Sequence, residues 1–214
     1  VTTDLRWPIN QIIIKEFDGD YIINCIGAIP QRTNDFDINW CIPIWLDLHA
    51  QCKIIHPGTD CEMDNDNYGI SKRIAGDYIR KYSKQTRSIK TSIIGPEISS
   101  SASLLEWFLA QEDSVFGYTK ALWNGNTTLE WSKQCLELMK NWDSAKYLNE
   151  TIICSRKISK FDLLHIIKDV FNKDIEILEK ELGKDKCLDG ILYTVTIREQ
   201  LEELKMSAHY FKYH

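Results

Sequence analysis

An α/β fold built on a parallel sheet is predicted by three features of the chain. Short apolar runs recur, DYIINCIGA at 20–28, KIIH at 53–56 and SIKTSII at 88–94. Each run is closed by a turn signal, namely Gly27, Pro57-Gly58 and Gly95-Pro96. The segments between them, 39–50 and 68–82, carry helical patterns. Strands covered on both faces read as continuous apolar runs, and parallel neighbours need a helical crossover between them.

Taken in order, the strand at 20–28 ends in a loop at Gly27. The helix opening at Asn39-Trp40 carries Pro43 in its first turn, where proline is tolerated. The strand Lys53–His56 is broken by Pro57-Gly58. The helix at 68–82 leads to the strand Ser88–Ile94. Beyond residue 98 the texture changes. SSSAS reads as a small-residue hinge and SLLEWFLAQ as a helix. A loop rich in Gly, Asn and aromatics then runs to a helix capped by Thr127 or Thr128. ETIICSR reads as a strand, and ISKFDLLHIIKDVF as an amphipathic helix with Ser159 as N-cap and Asp162 three residues later. The tail from Asp174 reads as charged and helical, with a strand at Leu192–Val195. Residues 1–98 are therefore read as one unit and 99–214 as a smaller α/β lobe.

The 214 residues are 43% hydrophobic and 27% charged, the balance of a globular protein. A net charge of -5 argues against a nucleic-acid backbone as partner. No apolar run reaches the length of a membrane span, and no secretory leader is visible. Seven cysteines at irregular spacing, with no CxxC, point to reduced thiols, a cytoplasmic setting and no metal site. The sequons at Asn126 and Asn149 are read as chance matches.

The stretch NYGISKRIAGDYIRKY, residues 67–82, carries the chemistry. On a helix, Tyr68 and Lys72 share one face, one turn apart. An ammonium beside a phenol lowers its pKa from about 10 and tunes it for proton transfer to or from an alcohol oxygen. An ordinary amphipathic helix with an exposed lysine gives the same spacing, so the neighbouring phrases decide.

Those phrases run in order DYIINCIGAIPQ, INWCIPIWLDLH, KIIHPGTDC, YGISKRIAGDYI, SIIGPE, GYTKALWNGNTTLEWSK and ISKFDLL. The series resembles the extended short-chain dehydrogenase/reductase superfamily, and within it the dTDP-4-dehydrorhamnose reductase-like sugar-nucleotide reductases. The resemblance implies a Rossmann-like doubly wound parallel sheet with a smaller C-terminal substrate lobe. It implies NADP or NAD as cofactor, a nucleotide-sugar substrate and a homodimer. Tyr68 matches the proton donor and Lys72 the lysine that holds the cofactor ribose. Thr59 matches the hydroxyl that bonds the reacting oxygen, and Asp60 the aspartate that follows it. Asn24, Cys25, Gly27, Ala28 and Asn39 match the rim along the dinucleotide, and Gly95 and Pro96 the loop near the nicotinamide. Trp123, Asn124 and Gly125 match the substrate side. Thr59 in PGTD also reads as a plain turn residue, and Trp123 as core.

The sequence departs from the family pattern in two places. No GxxGxxG or GxGxxG occurs in it, so the pyrophosphate cradle and the first strands are expected to lie outside this chain. The start at Val1 fits that expectation. The connection from Thr59 to Tyr68 is also shorter than the family's loop. The function implied is reduction of a nucleotide-linked 4-keto-6-deoxy sugar. An epimerase or dehydratase of the same superfamily is the sibling reading, disfavoured because Asp60-Cys61 stands where dehydratases carry an Asp-Glu pair. A non-catalytic NADP-binding regulatory subunit is the other alternative.

Overall fold

A computed structural model of the chain describes residues 18–97, 101–144, 149–192 and 195–212. In chain order the elements are β1 (Tyr21–Ile23), α1 (Ile38–His49), β2 (Lys53–Gly58), α2 (Asn67–Tyr82), β3 (Thr86–Lys90) and β4 (Ile93–Ile94). There follow α3 (Leu104–Leu109), β5 (Ser114–Tyr118), β6 (Leu122–Trp123), β7 (Asn126–Thr127), α4 (Thr128–Lys140) and β8 (Glu150–Cys154). The chain closes with β9 (Ile158–Ser159), α5 (Lys160–Phe171), β10 (Glu176–Lys180), β11 (Ile191–Leu192) and α6 (Ile197–Lys212).

Five strands form one parallel sheet in the order β1-β2-β3-β8-β11. Successive side chains of a strand point to opposite faces, and Ile54 and Ile55 of β2 show why both faces are apolar. Ile54 packs with Ile42, Trp45 and Leu46 of α1. Ile55 packs with Ile89, Ile153 and the α4 residues Trp131, Cys135 and Leu138. Helices therefore cover both faces, as expected for a doubly wound sheet. Pro57 is tolerated in a central strand because β1 pairs with β2 only as far as Ile55.

A second core gathers Leu105, Phe108, Val115, Trp123, Leu163, Leu164, Ile167 and Leu201. It is built from α3, α5, α6 and the parallel ribbon β5–β10.

Several expectations are corrected. The strand expected over 88–94 divides: β3 stays in the main sheet, whereas β4 pairs with β7. Thr91 stands at the break, where its hydroxyl accepts from the amide of Asn126, the first residue of β7, at 3.0 Å. The expected aromatic loop holds β5, whose alternating burial places Val115 and Gly117 inward. Gly117 is needed because a Cβ there would lie 2.6 Å from Phe161. The tail expected to be helical begins instead with β10, because Ile175 and Ile177 bury against the second core and pairing with β5 overrides a charged composition. The strand expected at Leu192–Val195 is met only at Leu192 of β11, and Tyr193 and Thr194 lie outside the described residues. The boundary expected near residue 98 is not a boundary of the sheet, since β8 and β11 return to it. The first two residues of the expected hinge, 99 and 100, lie outside the described residues.

Candidate active site

Ligands of open α/β sheets bind beyond the carboxyl ends of the strands. At the end of β1, Asn24 is buried and turns its amide toward Nδ1 of His56, 3.1 Å away. Its Oδ1 accepts from the Ile26 backbone N–H at 3.1 Å. The turn leaves Cys25, Ile26 and Gly27 exposed. Asn39 of α1 then clamps Ala28 from both sides, accepting from its N–H at 2.8 Å and donating to its carbonyl at 3.0 Å. The same amide donates to Ser71 Oγ of α2 at 3.1 Å. Asn24, Cys25, Gly27, Ala28 and Asn39 are thus brought together as one rim, shaped by two buried asparagine side chains.

At the end of β2 the short connection to α2 folds into a single 3-10 turn, Asp60–Met63. Thr59 caps it. Its Oγ1 accepts from Cys61 N–H at 3.3 Å, while Glu62 accepts from Thr59 N–H at 3.1 Å, a reciprocal capping box. The Thr59 hydroxyl donates in turn to Asp60 Oδ1 at 3.1 Å. Asp66 caps α2 by accepting from Gly69 N–H at 2.7 Å. Gly69 permits this close approach, since a Cβ would sit 2.5 Å from the Cys61 carbonyl. A short connection therefore suffices because the helix starts directly against the turn.

Glu62 is buried, and charge holds it. Its Oε2 meets Lys90 Nζ at 2.6 Å, and Lys90 reaches Glu150 at 2.9 Å. Arg80 bonds Glu150 at 2.5 Å and lies 3.7 Å from Glu62. Arg73 donates to the Glu62 and Asp64 carbonyls at 3.0 and 3.2 Å.

Tyr68 and Lys72 both lie on α2. The Tyr68 ring meets Phe36 edge-on with centroids 5.6 Å apart. Its phenol is pushed up to about 12 by burial first, and then by Cys61, Asp60, Asp66 and Glu62. This corrects the expectation of a phenol pulled down by Lys72. Lys72 is only 8% exposed and directs Nζ to the Pro57 carbonyl at 3.4 Å. Burial lowers its own pKa, partly offset by Glu62 and Cys61. The Lys72 charge acts on His56, which burial first and then Lys72 hold well below the usual imidazole range.

The remaining expected residues make no hydrogen bond to Thr59, Tyr68 or Lys72 among those of the described residues. Gly95 is buried beneath Thr128, where a Cβ would meet Oγ1 at 2.2 Å, and Pro96 is exposed. The Trp123 indole lies in the second core and donates to Ser92 Oγ at 2.8 Å. Asn124 exchanges two bonds with the Leu188 backbone, at 2.8 and 2.9 Å. Gly125 packs so tightly that a Cβ would stand 1.9 Å from the Ser92 carbonyl. Each of these three has a packing task here. Glu62, Lys90 and Lys186 were missed from sequence. TDCE at 59–62 spells a capping box and was the available signal for Glu62. Lys186 meets Asp64 at 2.6 Å across 122 positions, and no local pattern announces it.

Lys72 is a buried ammonium with three donors and, among the hydrogen bonds of the described residues, one long bond at 3.4 Å. Spare donors on a buried cation suit ribose hydroxyls, and the neighbouring Ser71 is tied through Asn39 to the rim at Ala28. The ribose end of a nicotinamide cofactor therefore fits. Among the described residues, no helix is long and apolar enough to cross a membrane, and no cluster of three or more His, Cys, Asp or Glu is placed to hold a metal ion.

The sheet and site together define a Rossmann-type α/β protein with a tyrosine–lysine helix. No protein-family model matches the chain, and no curated protein matches it. Solved structures do, and dTDP-4-dehydrorhamnose reductases are among them. A dTDP-4-dehydrorhamnose reductase from Clostridium acetobutylicum superposes with a TM-score of 0.74 at 14% identity, covering 93% of this chain and 84% of that one. The enzyme of that name from Bacillus anthracis, in complex with NADP, gives 0.70 at 12% identity, with 92% and 84% covered. A GDP-D-glycero-L-gluco-heptose synthase from Campylobacter jejuni, in the presence of NADPH, gives 0.68 at 10% identity, with 93% and 85% covered. The chain has the fold of these proteins.

Proposed function

We propose that the protein binds NADP or NAD and reduces the carbonyl of a nucleotide-linked 4-keto-6-deoxy sugar. The observation that carries this reading is the conjunction of Tyr68, Lys72 and Thr59 at the carboxyl end of β2 in a reductase fold. Asn24, Asn39 and the Cys25–Ala28 rim would lie along the dinucleotide, and Lys72 would hold the ribose hydroxyls. The bound cofactor supplies the hydride, which the side chains of this protein cannot.

The protein's own part is to hold and move a proton. As charge builds on the carbonyl oxygen, Tyr68 Oη donates its proton there. A phenol held at about 12 keeps that proton at neutral pH but is a weaker acid than an ordinary tyrosine, so donation relies on the charge growing on the substrate oxygen to draw the proton across. Lys72, one turn along the helix, directs its ammonium to the Pro57 carbonyl, and would offset the charge left on the phenolate only by turning from it. Thr59 Oγ1 can give the substrate oxygen a second bond only by exchanging its present acceptor, Asp60. That commitment also favours a second reading, a protein that binds the nucleotide without turnover.

One experiment separates the two readings. NADPH oxidation with a dTDP-4-keto-6-deoxy sugar is followed for the wild type and Tyr68→Phe, with NADPH affinity measured by fluorescence. Loss of the general acid lowers turnover by about 100-fold or more and leaves affinity unchanged. Equal turnover in the two proteins refutes the catalytic assignment. NADPH binding without turnover in the wild type selects the second reading.

A further inference from the structure

The segment 181–190 is the least regular stretch of the second lobe, yet it is heavily anchored. Leu182 accepts from Lys120 N–H at 3.1 Å. Gly183 adopts φ +116, with Ala121 N only 2.4 Å from where a Cβ would stand, so glycine is required on both counts. Asp185 receives Lys157 at 2.8 Å and the Cys187 N–H at 2.9 Å. Lys186 N–H donates to the Leu122 carbonyl at 3.2 Å, and Leu188 is gripped by Asn124. After Gly190 the chain enters the main sheet as β11. The segment is therefore a strap from one lobe to the other. Between those ends, one side chain reaches the turn that carries the candidate chemistry. It is Lys186, whose Nζ meets Asp64 Oδ2 at 2.6 Å, at the foot of the 3-10 turn.

We propose that Lys186 is a positioning residue: through Asp64 it latches the strap 181–190 to the 3-10 turn, and so fixes Thr59 and Asp60 against the second lobe. The assignment rests on the reductase reading for its consequence in turnover, but the latch itself does not. The geometry favours a latch over a chance surface pair for three reasons. The partners are each about a third exposed, at 37% and 32%, so solvent screens them only in part. The strap backbone is already fixed on both sides of Lys186, so little further entropy is lost in holding the ammonium. The target carboxylate belongs to a turn whose other contacts, Arg73 and Glu62–Lys90, come from the first lobe.

Hydrogen–deuterium exchange of the unliganded protein, read on peptides spanning 59–68 and 181–190, tests the latch. Lys186→Met and Asp64→Asn each speed exchange in both segments by about two- to fivefold, and Lys186→Arg restores slow exchange. Unchanged exchange at 59–68 in Lys186→Met overturns the latch. The second arm is the KM against kcat split with the keto-sugar nucleotide. A positioned wall gives a higher KM with Lys186→Met and recovery with Lys186→Arg, whereas unchanged KM and kcat overturn the positioning role. A wild type that turns over no keto sugar refutes the reductase reading and with it the role in turnover. Exchange still decides the latch.

Discussion

Replacing Lys90 by Met tests whether buried charge holds the candidate site together. Lys90 is 7% exposed and its Nζ sits between two carboxylates, 2.6 Å from Glu62 and 2.9 Å from Glu150. Met keeps most of the aliphatic stem and removes the charge. The two carboxylates fare differently afterwards. Glu150 keeps Arg80 at 2.5 Å, whereas Glu62 is left with Arg80 at 3.7 Å and the Thr59 N–H. One buried carboxylate is thus largely stranded. Breaking a buried pair from one side costs roughly 3–5 kcal/mol. The residual Arg80 contact places the expected loss at the lower end, about 3 kcal/mol.

Urea unfolding measures this directly, with an unchanged m-value required for the comparison. In a chain of this length about 3 kcal/mol corresponds to a fall in Tm of roughly 6–12 °C. Adding Glu62→Gln to Lys90→Met removes the stranded charge, so the double variant is more stable than the sum of the single losses by about 1–3 kcal/mol. A loss below about 1 kcal/mol in Lys90→Met, or strict additivity, refutes the reasoning and means that water already reaches these groups.

Two further predictions concern titration. Subtracting the alkaline ultraviolet titration of Tyr68→Phe from that of the wild type isolates Tyr68. No phenolate signal is expected between pH 8 and 10, since Tyr68 is held at about 12, and a signal below pH 10 contradicts the assignment. His56 is depressed well below its ordinary value by burial and Lys72. A depressed histidine contributes stability that is fully present above about pH 6.5 and is lost as pH falls below it, because the unfolded chain takes up the proton first. The wild type therefore loses more stability between pH 6.5 and 5 than His56→Gln does in denaturant unfolding, and parallel pH profiles reject this.

The parallel sheet was legible because β2 is a continuous apolar run between turn signals, and α2 because its residue spacing is local. Tyr68 and Lys72 were legible for the same reason. The sign of the Tyr68 shift was not. Spacing on a helix places a cation within reach, but the charges that act on the phenol come from the turn before it, and the ammonium turns to Pro57 and His56. Position 123 misled in another way. An indole beside Asn-Gly reads as a ligand platform, whereas the fold spends it on the second core and on Ser92. β10 and Lys186 were illegible because each depends on partners far along the chain, β5 and Asp64.

The short connection between Thr59 and Tyr68 explains the charges around it. Its own backbone bonds are few: Glu62 N–H to Thr59 O at 3.3 Å and Asp64 N–H to Cys61 O at 3.0 Å. Such a turn is stable only if something outside holds it, and here cations do. Arg73 takes its carbonyls, Lys90 and Arg80 take Glu62, and Lys186 takes Asp64. The acidic residues needed for this anchoring, with Asp60 and Asp66, stand beside Tyr68. Three of them, Asp60, Asp66 and Glu62, act on its phenol directly. They oppose formation of the phenolate, so the fixing of the turn and the retention of the proton have one origin. A site assembled this way keeps the phenol neutral at the cost of acidity, so a protonated but weakly acidic Tyr68 is what a bound carbonyl would meet.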